Sequence, residues 1–315
     1  MAAHHPGEGR IMARYLISRF FQALLVMFGV SLLIFFSLHL TGDPAAVMMP
    51  PGATTQEIAD FRHAMGFDRP LLTQYADYAA HLLRGDLGES LRFGQPVATL
   101  IAERLPATAL LALTALAWST LAGLALGLLS ALWRDTIWDL LARLVAFSGQ
   151  AVPVFWLGLL MILFFSLQLR LLPSGGYGEP LQLIMPAVCL GAYYMSAMAR
   201  LVRASLIDVL DQDYIRTARA KGLSAWRVLV RHGLRNALIP VVTVQGISLA
   251  ALLGGALVTE IIFAWPGIGR LAVQAIQNRD FPLVQGVVLL AALTFVVVNL
   301  LIDLLYLVLN PRIRL

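Results

Sequence analysis

Long apolar runs without a charged residue alternate with short polar stretches along most of this chain. Phe20–Leu40 is the first such run. Leu105–Trp133, Leu144–Leu169 (interrupted by Pro153), Pro180–Ala199, Ala237–Thr259 and Phe281–Ile302 follow. Each reaches the roughly 20 residues a helix needs to cross a bilayer. A backbone in lipid must satisfy its own hydrogen bonds, and no ten-residue alternation points to a barrel. The pattern therefore predicts an all-α polytopic membrane protein with six transmembrane helices and both termini on one side. The first run exceeds the apolar core of a signal peptide, about 7–15 residues, and no clean A-x-A site follows. It is expected to stay as a transmembrane helix over 14–40, preceded by a flexible tail over 1–13.

Residues 41–103 break the pattern. "TGDPAAVMMPPGATT" and the segment up to "ATLIAERL" carry Gly and Pro between two short helical patterns, at about 54–65 and 70–84. The stretch is too long for a bare loop, so it reads as a small ordered insertion outside the membrane. A five-helix core over 104–315 follows.

Composition agrees: 59% of residues are hydrophobic and 13% charged, against about 25% charged in soluble domains. The single cysteine, Cys189, lies inside an apolar run and allows neither an intramolecular disulfide nor a zinc cluster. The positive-inside rule sets the orientation. With a cytoplasmic N-terminus, the inner segments hold Arg10, Arg14, Arg19, Arg134, Arg143, the eight cations from Arg200 to Arg235, Arg312 and Arg314. The outer segments are mildly acidic. This places the 41–103 insertion outside and the basic stretch around 213–240 in the cytoplasm.

Catalytic chemistry is missing from the sequence. There is no G-x-x-x-x-G-K-[ST], no H-E-x-x-H, no Cys/His cluster and no G-x-S-x-G. Proton coupling would require carboxylates near the middle of a span. Glu260 and Asp303 stand at the ends of the fifth and sixth runs, where they read as interfacial caps or salt-bridging groups. A membrane-embedded enzyme and a secondary transporter both lose ground on these counts.

The informative stretch is "DYIRTARAKGLSAWRVLVRHGLRNALIP", from Asp213 to Pro240. "DYIRTARAKG" has helix-forming composition, with Ile215, Ala218 and Lys221 at near-helical spacing. Gly222 breaks it. A second helix is expected from Ser224, a good N-cap, with Ala225, Val228, Leu229 and His232 along one face. Composition alone leaves two readings open. One is an interfacial helix on acidic lipid; the other is a protein-docking knob with a glycine corner.

"YIRTARAKGLSAWRVLVRHGLRNALIPVVT" resembles the cytoplasmic EAA loop of ABC importer permeases, in its peptide-transporter form. "TGDPA", "GDLGESL", "EIIFAWPGIGRLAVQAIQNRDFPLVQG" and the ending "NPRIR" are similar to the same subfamily, in the same order, over about 14–315. The chain is thus identified as resembling the first of two permeases in dipeptide, oligopeptide, glutathione and nickel importers. It departs from the general loop in one respect: Arg216, Thr217 and Ala218 stand where Glu-Ala-Ala is usual.

The resemblance implies a type I, MetI-like permease core in the bacterial inner membrane. It implies a second, related permease as heterodimer partner, two ABC ATPase subunits and an external substrate-binding protein, with the lipid bilayer around them and no nucleic acid. ATP and Mg would be bound by the partner ATPases, with no cofactor on this chain. The coupling loop would span 208–236, with Arg216, Thr217, Ala218, Arg219, Ala220, Lys221, Gly222, Ser224 and Arg227 meeting an ATPase. Gln150, Tyr193, Tyr194, Ser196 and Gln245 are candidates to line the path or to bond helix to helix. Pro153, Pro186 and Pro240 are candidate bends, and Gly254–Gly255 a candidate close approach. Import of di- or oligopeptides by alternating access is the leading expectation. Nickel or a nickel chelate is the alternative cargo, with a stand-alone secondary transporter behind it. No metal site is expected on this chain: the apolar runs hold no histidine except His39, at a boundary.

Overall fold

The structure is a computed structural model that describes residues 8–40, 43–50, 52–254 and 256–309. The "NPRIR" ending, residues 1–7 of the expected tail, Gly255, and the side chains of His39 and Asp303 lie outside the described residues. The chain divides into two compact units, one built from residues up to 106 with 270–300, the other from 107–269 with 301–306. Helices account for nearly all the regular structure, and a single bridge joins Glu89 and Pro96.

In the first unit, α1 (Glu8–Leu40) begins earlier than expected. Residues 8–13 are helical, because a helix seeded by the apolar run extends at the cost of one residue per bond gained. After α2 (Pro44–Met48) come α3 (Thr55–Ala64) and α4 (Leu71–Leu83), matching the two helical patterns of the insertion. Thr54 and Glu57 form a reciprocal capping box at the start of α3. Asp43 caps α2 through the Ala45 N–H and pairs with Arg62. The hydrogen bond from Arg62 is the main reason its carboxyl titrates below the ordinary range. Phe28 and Phe35 of α1 meet Tyr75 of α4 edge to face, with ring centroids 6.2 and 5.4 Å apart.

The buried carboxylate of Asp280 holds two distant segments of this unit together. It accepts from Ser90 Oγ, from the backbone N–H of Leu91 (3.3 Å) and Arg92 (3.2 Å), and from the N–H of Leu283 (3.3 Å). "GDLGESL" and "NRDFPLVQG" are thus halves of one hydrogen-bonded junction. Asp280 sits between α14 (Ile268–Gln277) and α15 (Phe281–Leu309).

The second unit is arranged around α8 (Pro180–Leu210), whose buried face runs from Met185 to Leu206. α5 (Val97–Leu132) supplies Leu111, Ala112 and Ala115 to a core with Ala187 and Leu190 of α8, Leu252 and Trp265. α6 (Ile137–Ala151) packs closely on α8: a Cβ at Gly149 would lie 2.4 Å from Ser196 Oγ and 2.5 Å from the Ala192 carbonyl oxygen.

Two expected spans are reshaped. The third is sharply bent, by 106°, between α6 and the helix that follows Pro153, α7 (Val154–Met161) with a π-helical continuation over Ile162–Gln168. Pro153 lacks a donor and holds Val152 extended, so no helix passes through. Pro186, in contrast, stands inside the unbroken α8, and Pro240 falls at the start of α12 (Ile239–Gly254). The fifth span is divided into α11 (Arg235–Ala237), α12 and α13 (Leu257–Ile262). α12 has 16 residues, about 24 Å of helix, and the Gly254–Gly255 pair at its end disfavours continuation. Among the described residues, four helices are long and apolar enough to cross a membrane, five if the bent pair counts as one span. The fifth expected run thus falls short of one continuous spanning helix, and the third is a bent pair.

Glu260, at the end of the fifth run, lies in the first turn of α13. It is fully buried. Thr108 Oγ1 donates to its Oε1 at 2.9 Å and accepts from the Ile268 N–H at 2.8 Å. Trp265 closes over this group, its Nε1–H bonded to the Ala107 carbonyl at 2.9 Å. The turn after α13 therefore folds inward over the carboxylate.

Candidate docking site

The basic stretch forms a compact helical corner within the second unit. α9 (Asp213–Ala220) ends in a Schellman motif. The Gly222 N–H bonds to the Arg219 carbonyl at 2.9 Å, and the Leu223 N–H reaches the Ala218 carbonyl at 3.4 Å. Gly222 has φ +75°, which L-residues rarely adopt. Ser224 then caps α10 (Ala225–Arg227), accepting from the Arg227 N–H at 3.4 Å. A π-helical stretch over Val228–Leu234 continues the chain toward α11. The glycine corner and second helix expected from the sequence are both present.

The corner has its own small core. Ile215, Ala218 and Val228 are buried together, with Leu210 and Leu223 packed against them. Asn236 Nδ2 donates to the Tyr214 hydroxyl at 3.0 Å, which ties the far end of the second helix back to α9. The backbone is thus fixed before any partner arrives. Ala218 belongs to this core and not to the outer surface, which corrects its place among the expected contact residues. The 3.6-residue period puts it on the same face as Ile215. Lys221, expected on that face, is exposed because it already lies at the helix end.

Arg216, Thr217, Arg219, Ala220, Gly222, Ser224 and Arg227 are exposed as well. Among the acids, Asp213 sits in this surface and pairs with Arg216 at 3.5 Å. The remaining cations leave this surface positively charged. Trp226 was not singled out from the sequence, yet its indole is 73% exposed. Beside it lies a notch of about 290 Å³ lined by Leu132, Leu210, Arg219, Ala225, Val228 and Leu229. A large aromatic beside an apolar notch and flanked by arginines has the composition of an interface hot spot. The signal was available: Trp is the costliest residue to leave in water within an otherwise basic loop.

Among the candidate path residues, Tyr193 and Tyr194 meet edge to face, with ring centroids 5.5 Å apart. Tyr193 and Gln150 are exposed. Tyr194 is half-buried against the α5–α8 core. Ser196 is buried at the α6 contact, and its hydroxyl donates to the Ala192 carbonyl of its own helix. Gln245 sends Nε2 toward Met198 Sδ at 3.7 Å, while its Oε1 is buried without a partner among the described residues. No group of three or more metal-ligating side chains occurs among the described residues.

Comparison with known proteins bears on this arrangement. The chain is 43% identical to the glutathione transport system permease protein GsiC of Escherichia coli strain K12 over 304 residues, covering 96% of this chain and 99% of the relative. The protein of the same name from Salmonella typhimurium gives the same identity and coverage. Two solved structures share the fold. An inward-facing MetNI methionine ABC transporter aligns with TM-score 0.52 and 20% identity, covering 66% of this chain and 96% of that one. An amino acid ABC transporter with histidines aligns with TM-score 0.54 and 17% identity, covering 66% and 93%. Residues 12–112 match the N-terminal domain of binding-protein-dependent transport system membrane components. Residues 123–315 match the binding-protein-dependent transport system inner membrane component, and the chain belongs to that family of ABC importer permeases.

Proposed function

We propose that this permease carries glutathione or similarly short peptides inward by alternating access, driven by ATPases docked on the 213–236 corner. The observation that supports this most is the likeness to glutathione permeases along nearly the whole length of both chains. The insertion over 41–103 would face the periplasm and help receive the binding protein. The corner would face the cytoplasm, with Arg216, Arg219, Lys221, Trp226 and Arg227 toward an ATPase groove. A second permease would complete the path. Rigid levers are what such coupling requires, since ATPase closure must reach the spans without being absorbed by a loop. The Schellman closure and the Asn236–Tyr214 tie fit that requirement. Nickel-chelate import has less support, as the relatives reported above are glutathione permeases.

Cargo is tested by reconstituting this chain with its partner subunits and measuring ATP-dependent uptake of labelled glutathione in the presence of the binding protein. Saturable uptake, competed by unlabelled glutathione, is expected. Uptake of dipeptides but not glutathione would reassign the cargo, and uptake without ATP would overturn the importer mechanism. Orientation is tested separately, on Thr55→Cys and Ser224→Cys in a Cys189→Ser background. A membrane-impermeant maleimide added to spheroplasts should label the first and spare the second until the membrane is opened. Labelling of both from outside would reject the proposed topology.

A further inference from the structure

A cleft of about 510 Å³ lies in the second unit, with α6 on one wall and α8 on the other. Its surface is largely apolar, formed in part by Leu140, Leu144 and Phe147, while Arg143, Arg200 and Arg203 stand around it. The charges do not balance. Asp139 is buried beside the cleft and takes two hydrogen bonds from Arg203 (3.1 and 3.0 Å) and an ion pair from Arg143 at 3.2 Å. Arg200 is exposed and forms no ion pair among the described residues. Three guanidinium groups thus share one carboxylate, which leaves two positive charges beside an apolar trough. A guanidinium fork matches the oxygens of a phosphate.

The depth is that of a headgroup. About 20 helical residues cross the hydrocarbon core, so α8, starting at Pro180, leaves it near Arg200. α5 ends at Leu132, just past Ser130 in the cleft wall. Trp138, at the start of α6, is exposed, as is usual for an aromatic at the membrane interface.

We propose that this cleft binds one anionic phospholipid, its phosphate held by Arg200 and Arg143 and an acyl chain along Leu140, Leu144 and Phe147. Charge selects an anion, and the apolar trough selects an amphiphile over a soluble ion, because a free phosphate would leave that surface wet. Arg203 is committed to Asp139 and acts mainly by adding to the local potential. The site is separate from the helical corner that would meet the ATPases, and it does not depend on which cargo is carried.

The test uses the assembled transporter, purified in non-ionic detergent and exchanged with defined lipid. Native mass spectrometry then counts retained phosphatidylglycerol and phosphatidylcholine. One phosphatidylglycerol per copy of this chain is expected to survive washing, with at least tenfold preference over phosphatidylcholine. Arg200→Gln should reduce that preference about tenfold, Arg143→Gln/Arg200→Gln should abolish it, and Arg200→Lys should keep part of it. Arg200 supports no other described side chain, so its variants are expected to assemble. Equal retention of both lipids, or unchanged retention in the double variant, would overturn the proposal. Full displacement by millimolar inorganic phosphate would make this a soluble-anion site and also overturn it. If Arg200→Gln instead separates the two permeases and leaves lipid retention untouched, the cleft is a protein interface and the proposal fails. Because the readout is bound lipid and not uptake, its failure is distinguishable from failure of the importer reading.

Discussion

Gly222→Val is expected to abolish coupled uptake while the chain remains inserted, and Gly222→Asn to keep most of it. The reason is local. Gly222 has φ +75°, and nothing lies within 4 Å of where a Cβ would stand. A new side chain therefore meets no neighbour, and the whole penalty comes from the backbone. A β-branched residue in this conformation costs about 1–3 kcal/mol, whereas asparagine enters it readily. The valine variant relieves that strain by opening the Schellman closure, which releases the Leu223 N–H from Ala218 and turns Ser224 and Trp226 off their positions. If the corner docks on an ATPase, the partner then meets a surface that has lost its shape. Copurification of the ATPases and labelled-cargo uptake both read the effect, with membrane fractionation as the insertion control. Wild-type retention and uptake in Gly222→Val would leave the corner as a surface helix without a coupling role. Equal loss in the valine and asparagine variants would locate the effect in the side chain and not in φ.

Features set by nearest neighbours were legible in the sequence, and those set by distant partners were not. The insertion helices α3 and α4 could be read because Thr54, Glu57 and Pro70 mark their starts locally. The corner at Gly222 was legible for the same reason: a helix-forming run, a glycine and a serine cap follow in order. Hydropathy located the apolar runs but does not see backbone geometry. Pro153 marked a candidate bend within Leu144–Leu169, whereas the 106° by which the chain turns there could not be read from it. Ala237–Thr259 is equally apolar, but α12 ends at Gly254 and α13 begins at Leu257. Burial of charge was the least visible property. Glu260 looked like an end group, because its partner Thr108 is 152 residues away. The burial of Asp139 could not be read either, because its partner Arg203 is 64 residues away. Ala218 entered the expected docking surface through the resemblance, whereas its helical spacing with Ile215 already put the two on one face, which is buried with Val228.

Removing Arg203 alone is expected to destabilise the second unit more than removing Asp139 and Arg203 together. Asp139 has no exposed side-chain surface, and its oxygens accept from Arg203, from Ser130 Oγ and from the Asp135 N–H at 3.2 Å. Arg203→Ala strips the main countercharge from a carboxylate that cannot reach water. Breaking a buried pair from one side costs about 3–5 kcal/mol. Arg143 stays within reach of the same carboxylate, so the lower end, about 3 kcal/mol, is the expectation here. Asp139→Ala is milder. The side chain of Arg203 keeps 26% of its surface exposed, so its guanidinium can turn to water or to Ser130 Oγ, 2.9 Å from its Nε. In Asp139→Ala/Arg203→Ala neither charge is left stranded, and the remaining loss is packing and the Ser130 bond, so much of the single-variant penalty should disappear. Thermal aggregation followed by size-exclusion chromatography gives the ranking. It should be done in detergent with zwitterionic lipid only, so that a lost headgroup contact does not enter. The expected order of stability is wild type, Asp139→Ala, the double variant, then Arg203→Ala. A double variant as unstable as Arg203→Ala would show that the arginine stabilises α8 by its aliphatic packing and that the buried carboxylate is not what it answers.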